Sequence, residues 1–460
     1  MAYKPNGKSQ LKNVEAGNLA LIDFTNFVVV IQKVTFECRC DCFSNTTAIQ
    51  SPEMKSPLCE SSFPLGAMRI SFACGTRWIC VALLCLFSAA TTRAQLILSG
   101  NENKVDLNTG AIRVIPATAP DSVSILDFST FPPKMQTVDN VPNTVVGPPS
   151  NIAITPDGSL ALVADSIKVD PTNMSAWIPN SEIHVLDLEA KPPRVIATVL
   201  AGKQPSGMSI THDGKFALVA NRAEGSVTLL RISGKNVSAV ETVKVCLPGE
   251  SPSDVAISPD DKLALVSAQK GGYLSVLRLA DGHVEFTGQK ISAYGQPYRC
   301  VITPDGELGL TAGSGYGNGV DADAITVVDL RAKPIQAIQH ITIGSTPESI
   351  ELSPDGKLLV ATVMNGSNLA PTNSLHTAQG GLEILARRGK TFEKIKTIPV
   401  GAIPEGVAFT ADGHYLVVQC HPSRELWIFQ VKGERVTDTG QRIKMPGMPS
   451  SLRASPAIAR

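Results

Sequence analysis

PSGMSITHDG at residues 205–214, running straight on into KFALVAN at 215–221, is the stretch that decides the fold. Met208 and Ile210 alternate with polar residues, the period of a short strand. Thr211-His212-Asp213-Gly214 then reads as a tight turn, in which Asp bonds its own backbone and Gly takes a positive φ without a Cβ clash. The near-continuous apolar run that follows must be covered on both faces. A polar loop at 222–225 leads to a third strand, SVTLLRI at 226–232, and after Ser233-Gly234-Lys235 a fourth run covers 237–245. Four strands in succession make a meander.

The same phrase recurs along the chain as PSNIAITPDG from Pro149, PSDVAISPDD from Pro252, PYRCVITPDG from Pro297, PESIELSPDG from Pro347 and PEGVAFTADG from Pro404. A seventh copy, PSSLRASPAI from Pro449, has lost its turn. Successive prolines are 56, 47, 45, 50, 57 and 45 residues apart. A period near 50 built of short strands and tight turns predicts an all-β fold, a seven-bladed β-propeller with four antiparallel strands per blade. Three unassigned strands precede the first copy, at about 96–107, 122–127 and 134–138, and the last copy supplies only an innermost strand at about 450–454. These are expected to complete one blade together, so that pairing of the two ends closes the ring and leaves no open sheet edge. Asp261 stands where the other turns have Gly, which predicts a modest cost and no change of fold.

Residues 68–94 carry a different signal. Arg69 and Arg77 give a positive start, residues 78–90 an apolar stretch, and Thr92-Arg93-Ala94 a small-residue cleavage site before Gln95. This is the pattern of a secretory signal peptide, and about 13 apolar residues are too short to span a bilayer. The expected organisation is a disordered, non-native extension over 1–67 ahead of a true start at Met68, a signal peptide at 68–94, and the propeller at 95–460. The alternative is a cytoplasmic extension before an uncleaved anchor. A secreted or periplasmic protein, with no membrane span after cleavage and monomeric, is the expectation.

Residues 1–94 hold nine of the 41 Lys and Arg and six of the 41 Asp and Glu, which leaves 32 basic and 35 acidic groups and a net charge of −3 from Gln95 onward. That balance, without a basic run, argues against nucleic acid as a partner. Seven of the ten cysteines also fall before residue 95, and Cys38, Cys40, Cys42 and Cys59 have no paired zinc-finger spacing. Cys246, Cys300 and Cys420 remain, too few and too scattered for a disulfide scaffold; Cys300 takes an aliphatic slot of the repeat and is expected in the core. Stability is expected from one large aliphatic interior.

A propeller places ligands at one mouth of its channel. The loops leading into the innermost strands contribute there the residue after each repeat proline, which is Ser in four blades but Tyr298, Glu348 and Glu405 in three consecutive ones. Loops joining second to third strands share that face and are read as long at 165–181 (with Trp177), 313–324 and 363–379 (with His376). Glu348, Glu405 and His376 are the candidate catalytic residues, with Arg299 to hold a developing oxyanion. Tyr298, Arg299, Asp254, Asn221, Asn365 and His421 are the candidate ligand contacts. For each the bland alternative is a solvated loop residue or an ion pair. Asp321 and Asp323 with Asn318 lack the spacing of a calcium loop, so no metal site is assigned, and no cofactor motif is present.

The SPDG or TPDG turns followed by LALVAD (160–165) and FALVAN (216–221) resemble the YVTN-type β-propeller repeat proteins of bacteria over all of 95–460. The wider group is similar to seven-bladed lactonases and to the propeller subunit of periplasmic amine dehydrogenases. That resemblance implies the fold and export; no motif here matches the lactonase His, Glu and Arg positions residue by residue. The leading expectation is therefore a propeller that binds a small ligand or a partner protein at its mouth. A lactonase-like hydrolase of a lactone or sugar-acid substrate is the alternative, and a cell-surface structural repeat the third.

Overall fold

The computed structural model describes residues 19–24, 27–32, 95–117, 119–315 and 321–456. The chain divides into two units, Met1–Ser88 and Ala89–Arg460. In the first, Leu19–Phe24 pairs antiparallel with Phe27–Gln32. The rest of 1–67, expected to be disordered, and the expected signal peptide at 68–94 lie outside the described residues.

The second unit is the predicted ring of seven four-stranded antiparallel sheets, six of them consecutive meanders. The innermost strands of blades 1 to 7 are Ile152–Ile154, Pro205–Ile210, Pro252–Ile257, Gln296–Ile302, Pro347–Leu352, Pro404–Phe409 and Met448–Ala454. Blade 7 joins that last strand to Leu96–Glu102, which continues to Ser122–Asp127 and Lys134–Asp139. Its register pairs Ile97 with Ala454 and Ser99 with Leu452, so the ring closes through the two ends of the unit as expected.

The turn phrase has a side-chain reason. In each intact copy the Ser or Thr hydroxyl donates to the Asp two residues on, at 2.6 Å for Thr155–Asp157 and 2.7 Å for Thr211–Asp213. The same hydroxyl accepts the N–H that opens the second strand, at 3.0 Å from Leu160 and from Phe216. Glycine follows at positive φ, +74° at Gly214. Asp261 adopts φ +56° in the blade 3 turn, and its carboxylate accepts the His212 N–H at 2.7 Å and the Asp213 N–H at 3.0 Å. The strain of the left-handed conformation is thus offset by tying blade 3 to blade 2.

The expected single interior is instead seven apolar layers, each pressed between two neighbouring blades. Leu98, Ile152 and Val163 fill the layer between blades 7 and 1; Leu162, Met208 and Leu230 fill the next. Ile97, Val417 and Leu452 close the layer between blades 6 and 7. The division follows from the geometry, because a sheet set edge-on to the axis offers both faces to its neighbours and neither to a common centre. Cys300 lies in the layer between blades 3 and 4, 2 % exposed, and Cys246, Cys300 and Cys420 are all free thiols.

One expectation is corrected. Residues 165–181 are not a long loop but a β-arm: Leu160–Asp170 and Asn173–Asp187 pair antiparallel to a tight tip, with register shifts before Trp177 and after Pro179. Ile167 and Trp177 of this arm pack with Val105, Val145 and Val146 in a small apolar cluster of its own. Among the described residues no helix is long and apolar enough to cross a membrane.

Candidate functional site

Two rings of seven positions meet at the mouth opposite the Asp-Gly turns. The first is the residue after each repeat proline, with Tyr298, Glu348 and Glu405 in blades 4, 5 and 6. The second is the residue leaving each second strand. Asn221 pairs with Ser226 in blade 2, Asn101 with Ser122 in blade 7 and Cys420 with Glu425 in blade 6, so Arg222, Glu102 and His421 occupy equivalent sites.

Four charged side chains and a phenol from these rings interact across the axis. Arg222 lies with its guanidinium carbon 5.7 Å from the Tyr298 ring centroid; burial works against its charge, and Tyr298 and the Glu348 carboxyl partly oppose that. One Arg222 nitrogen donates to Gln269 Oε1 at 2.7 Å; Nε and the other terminal nitrogen are buried with no hydrogen-bond partner. Burial pushes the Glu348 and Glu405 carboxyls well above the usual carboxylate range; Glu348 raises Glu405 further, and Arg222 pulls Glu348 back down. Burial likewise raises Glu102 to about 8, with Lys104 opposing. Neither Glu102 oxygen makes a well-formed hydrogen bond, although the Lys104 and Val105 N–H groups lie close enough to favour its charge. Glu405 is 1 % exposed with one oxygen unpartnered. Blades 2, 4, 5, 6 and 7 each supply one of these five residues; blades 4 to 7 are consecutive, and Arg222 of blade 2 reaches Tyr298 and Glu348 across the channel.

Buried polar atoms without partners are uncommon and costly. Here they lie beside two carboxyls that burial raises and a desolvated cation, an arrangement suited to a polar ligand carrying a carbonyl or carboxylate. The chain before blade 1 runs close beside this mouth, where a Cβ on Gly147 would lie 3.8 Å from Arg222 Cδ. Gly147 approaches it so closely that a Cβ there would stand 2.4 Å from Ser206 Oγ, and its φ of +129° suits glycine alone.

The other sequence candidates are placed as follows. The His376 ring meets the Leu369 carbonyl at 2.9 Å and bonds neither glutamate. Arg299 is buried, bonding Ser349 Oγ at 2.7 Å and pairing with Glu351, so its position serves the channel wall. Asp254 accepts from Ser150 Oγ at 2.7 Å and from the Cys300 N–H at 3.0 Å. Asn221 donates to Ser226 Oγ at 3.0 Å and Thr228 Oγ1 at 2.9 Å. Asn365 sits at φ +50° and accepts the Ser345 N–H at 2.9 Å. His421 is fully buried, its Nδ1 2.8 Å from the Pro449 carbonyl, and burial lowers it to about 4, so the ring is neutral. Asp323 binds the Gly315 and Thr346 N–H groups, at 2.6 Å and 2.7 Å, rather than a cation; Asn318 lies outside the described residues. Arg222 and Glu102 were not singled out by sequence. The signal that finds them is positional, the first residue after each apolar second strand.

A cavity of about 1400 Å³ opens at the opposite mouth among the turns of blades 2 to 6. Its charged groups are matched: Arg387 bonds Asp305 at 2.6 Å, Arg388 bonds Glu434 at 2.6 Å, and His414 meets Asp412 at 2.9 Å. Volume favours that end; unsatisfied chemistry favours the other, and chemistry is the better guide to a polar ligand.

The family model "Lactonase, 7-bladed beta-propeller" matches residues 180–303. No curated protein matches the chain. Among solved structures, a candidate 6-phosphogluconolactonase from Bacteroides uniformis ATCC 8492 shares 18 % identity at a TM-score of 0.59, covering 79 % of this chain and 100 % of that one. The periplasmic gluconolactonase of Pseudomonas aeruginosa shares 17 % identity at 0.55, covering 78 % and 98 %. Hydrazine synthase of Kuenenia stuttgartiensis shares 18 % at 0.52, covering 69 % and 94 %. At such identities the likeness establishes the fold, and the family match over 180–303 bears out the resemblance to the seven-bladed, lactonase-like propellers.

Proposed function

We propose that this chain is a lactonase-like hydrolase that opens a lactone of the sugar-acid class at the Glu348–Glu405–Arg222 cluster. The observation that carries the reading is Arg222, buried with two nitrogens unpartnered and in electrostatic reach of Glu348, whose carboxyl in turn acts on that of Glu405. Burial raises both carboxyls, but Arg222 opposes the shift at Glu348 while Glu348 adds to it at Glu405, so Glu348 is the first of the two to lose its proton and Glu405 keeps its own. Environments that push two like groups apart in this way assign a base and an acid. Glu348 takes a proton from water as the water oxygen bonds to the lactone carbonyl carbon. Arg222 holds the developing oxyanion, and Glu405 delivers its proton to the ring oxygen as the ring C–O bond breaks, leaving a hydroxy acid. Glu102 and the serines of the first ring offer acceptors and donors for substrate hydroxyls. The gluconolactonase neighbours support the substrate class.

The test is base consumption by the purified chain in a pH-stat with δ- and γ-lactones of aldonic acids. Glu405→Gln should lower kcat by roughly 100-fold or more, the order of a lost acid or base, while still binding the hydroxy acid. Equal turnover in that variant would reject the assignment. Binding of the hydroxy acid without turnover in the unaltered chain would favour ligand binding alone. An exported location belongs to the same proposal, and cell fractionation with N-terminal sequencing for cleavage before Gln95 tests it.

A further inference from the structure

Blades 7, 1 and 2 carry the same cross-strand set on the end of their second and third strands, and one copy has changed its chemistry. In blade 2 Asn221 donates to Ser226 and Thr228, and Thr228 meets Thr242 at 3.0 Å. In blade 7 Asn101 donates to Ser122 at 3.3 Å and Ser124 at 3.0 Å, and Ser124 meets Thr137 at 3.2 Å. The registers put Asp165, Glu182, His184 and Thr198 at the same four places in blade 1. An amide and two hydroxyls, which satisfy one another, are replaced by two carboxylates and an imidazole, which do not.

The residual contacts leave three atoms open. Asp165 Oδ2 accepts from Asn180 Nδ2 at 2.7 Å, and Oδ1 has no partner although the residue is only 4 % exposed. His184 Nδ1 lies 3.2 Å from Thr198 Oγ1, and Nε2 has no partner in a residue 7 % exposed. Glu182 gives Oε1 to Lys168 at 3.0 Å and holds Oε2 only loosely, 3.4 Å from Asn180. The ligand atoms of all three residues lie within 4.8 Å of one another. With Nδ1–H donating to Thr198, the imidazole keeps the Nε2 lone pair and a fixed ring plane, the outer-shell support a metal-bound histidine uses.

The geometry points to a divalent transition-metal site, of the zinc class, formed by Asp165, Glu182 and His184 in blade 1. One nitrogen and two carboxylate oxygens are a zinc ligand set, and a water completes four-coordination. Metal–ligand bonds of about 2.0–2.2 Å put ligand atoms roughly 3.4 Å apart, so the side chains close by about an ångström. Lys168 and Lys104 are the cations facing the cluster, and Asp121 the further anion. The site lies where the blade 1 arm begins, just past the register shift at Pro179, so a bound ion clamps the two strands that carry Ile167 and Trp177.

The test uses the full chain, stripped with chelator and titrated with Zn²⁺ and, separately, Mn²⁺, which thiolates bind poorly. The decisive comparison is with Asp165→Asn/Glu182→Ser/His184→Thr, which installs the blade 2 set. The unaltered chain should take up one more equivalent of Zn²⁺ than this variant and melt higher with metal. The variant should fold without metal and show no metal-dependent shift. His184→Thr alone should weaken Zn²⁺ binding at least about 100-fold, more than the 10–100-fold typical of losing an outer-shell partner. Equal uptake and equal thermal shifts in chain and triple variant would overturn the proposal, placing the ion on the cysteines before residue 60 or at adventitious sites. So would an absence of uptake in both.

Discussion

Replacing Glu102 by Gln tests the electrostatic account of the mouth most directly. In the unfolded chain this carboxyl loses its proton near 4.5, and in the folded chain near 8. Below pH 4.5 both states hold the proton and the stability is fully present. Between the two values only the folded state holds it, so stability falls as pH rises, and the loss is complete above pH 8. From pH 5 to pH 7.5 the span is 2.5 units at about 1.4 kcal/mol each, a ceiling of about 3.5 kcal/mol from this residue alone. Glu348 and Glu405 add to the slope with the same sign, because both are raised. Glu102→Gln should therefore flatten the fall of the melting midpoint between pH 5 and 7.5 by a few degrees, taking roughly 1–2 °C per kcal/mol for a chain of this size. Differential scanning fluorimetry at five pH values, in one buffer mixture of constant ionic strength, reads this out. An identical slope in chain and variant would show that Glu102 is hydrated or paired, and the desolvated mouth would have to be abandoned.

Two further outcomes concern the ring itself. Asp261→Gly restores the repeat consensus yet should destabilise by about 1 kcal/mol, since the loss of bonds to the His212 and Asp213 N–H groups outweighs relief of the turn; urea unfolding with an unchanged or higher midpoint would contradict this. Removing residues 448–460 strips the innermost strand from Leu96–Glu102 and opens the layer around Leu452. Size-exclusion chromatography should then show aggregates, and a monodisperse, cooperatively melting product would mean that the ring tolerates an open blade.

Much of this molecule is legible in its sequence, for a physical reason. The turn phrase encodes a hydrogen-bond cycle, with Thr211 bonding Asp213 and the Phe216 N–H, so its copies mark strand ends directly. Tyr298, Glu348 and Glu405 stood out because they break a run of serines at a fixed place in the phrase. Arg222 and Glu102 did not, because their ring is defined by strand register and not by a phrase. The pairing of Asp165 with Glu182 was hidden more deeply. Two register shifts in the arm break the alternation between them, and the stretch reads as loop. His376 and Arg299 have the right chemistry, but no local pattern says that their bonds go to the Leu369 carbonyl and to Glu351.

The seven separate apolar layers set what the mouth can tolerate. Each layer fixes the tilt of one blade against the next, and a methyl lost from any of them is felt mainly by its two neighbours. Glu102, Arg222, Tyr298, Glu348 and Glu405 hang from five blades, so the distances among them accumulate the small rotations of the whole circle. The ring acts as an iris: loosening one leaf leaves the frame standing but moves the opening off centre. Core truncations in the second and third strands, such as Val417→Ala or Leu230→Ala, should for that reason degrade function before they abolish the fold.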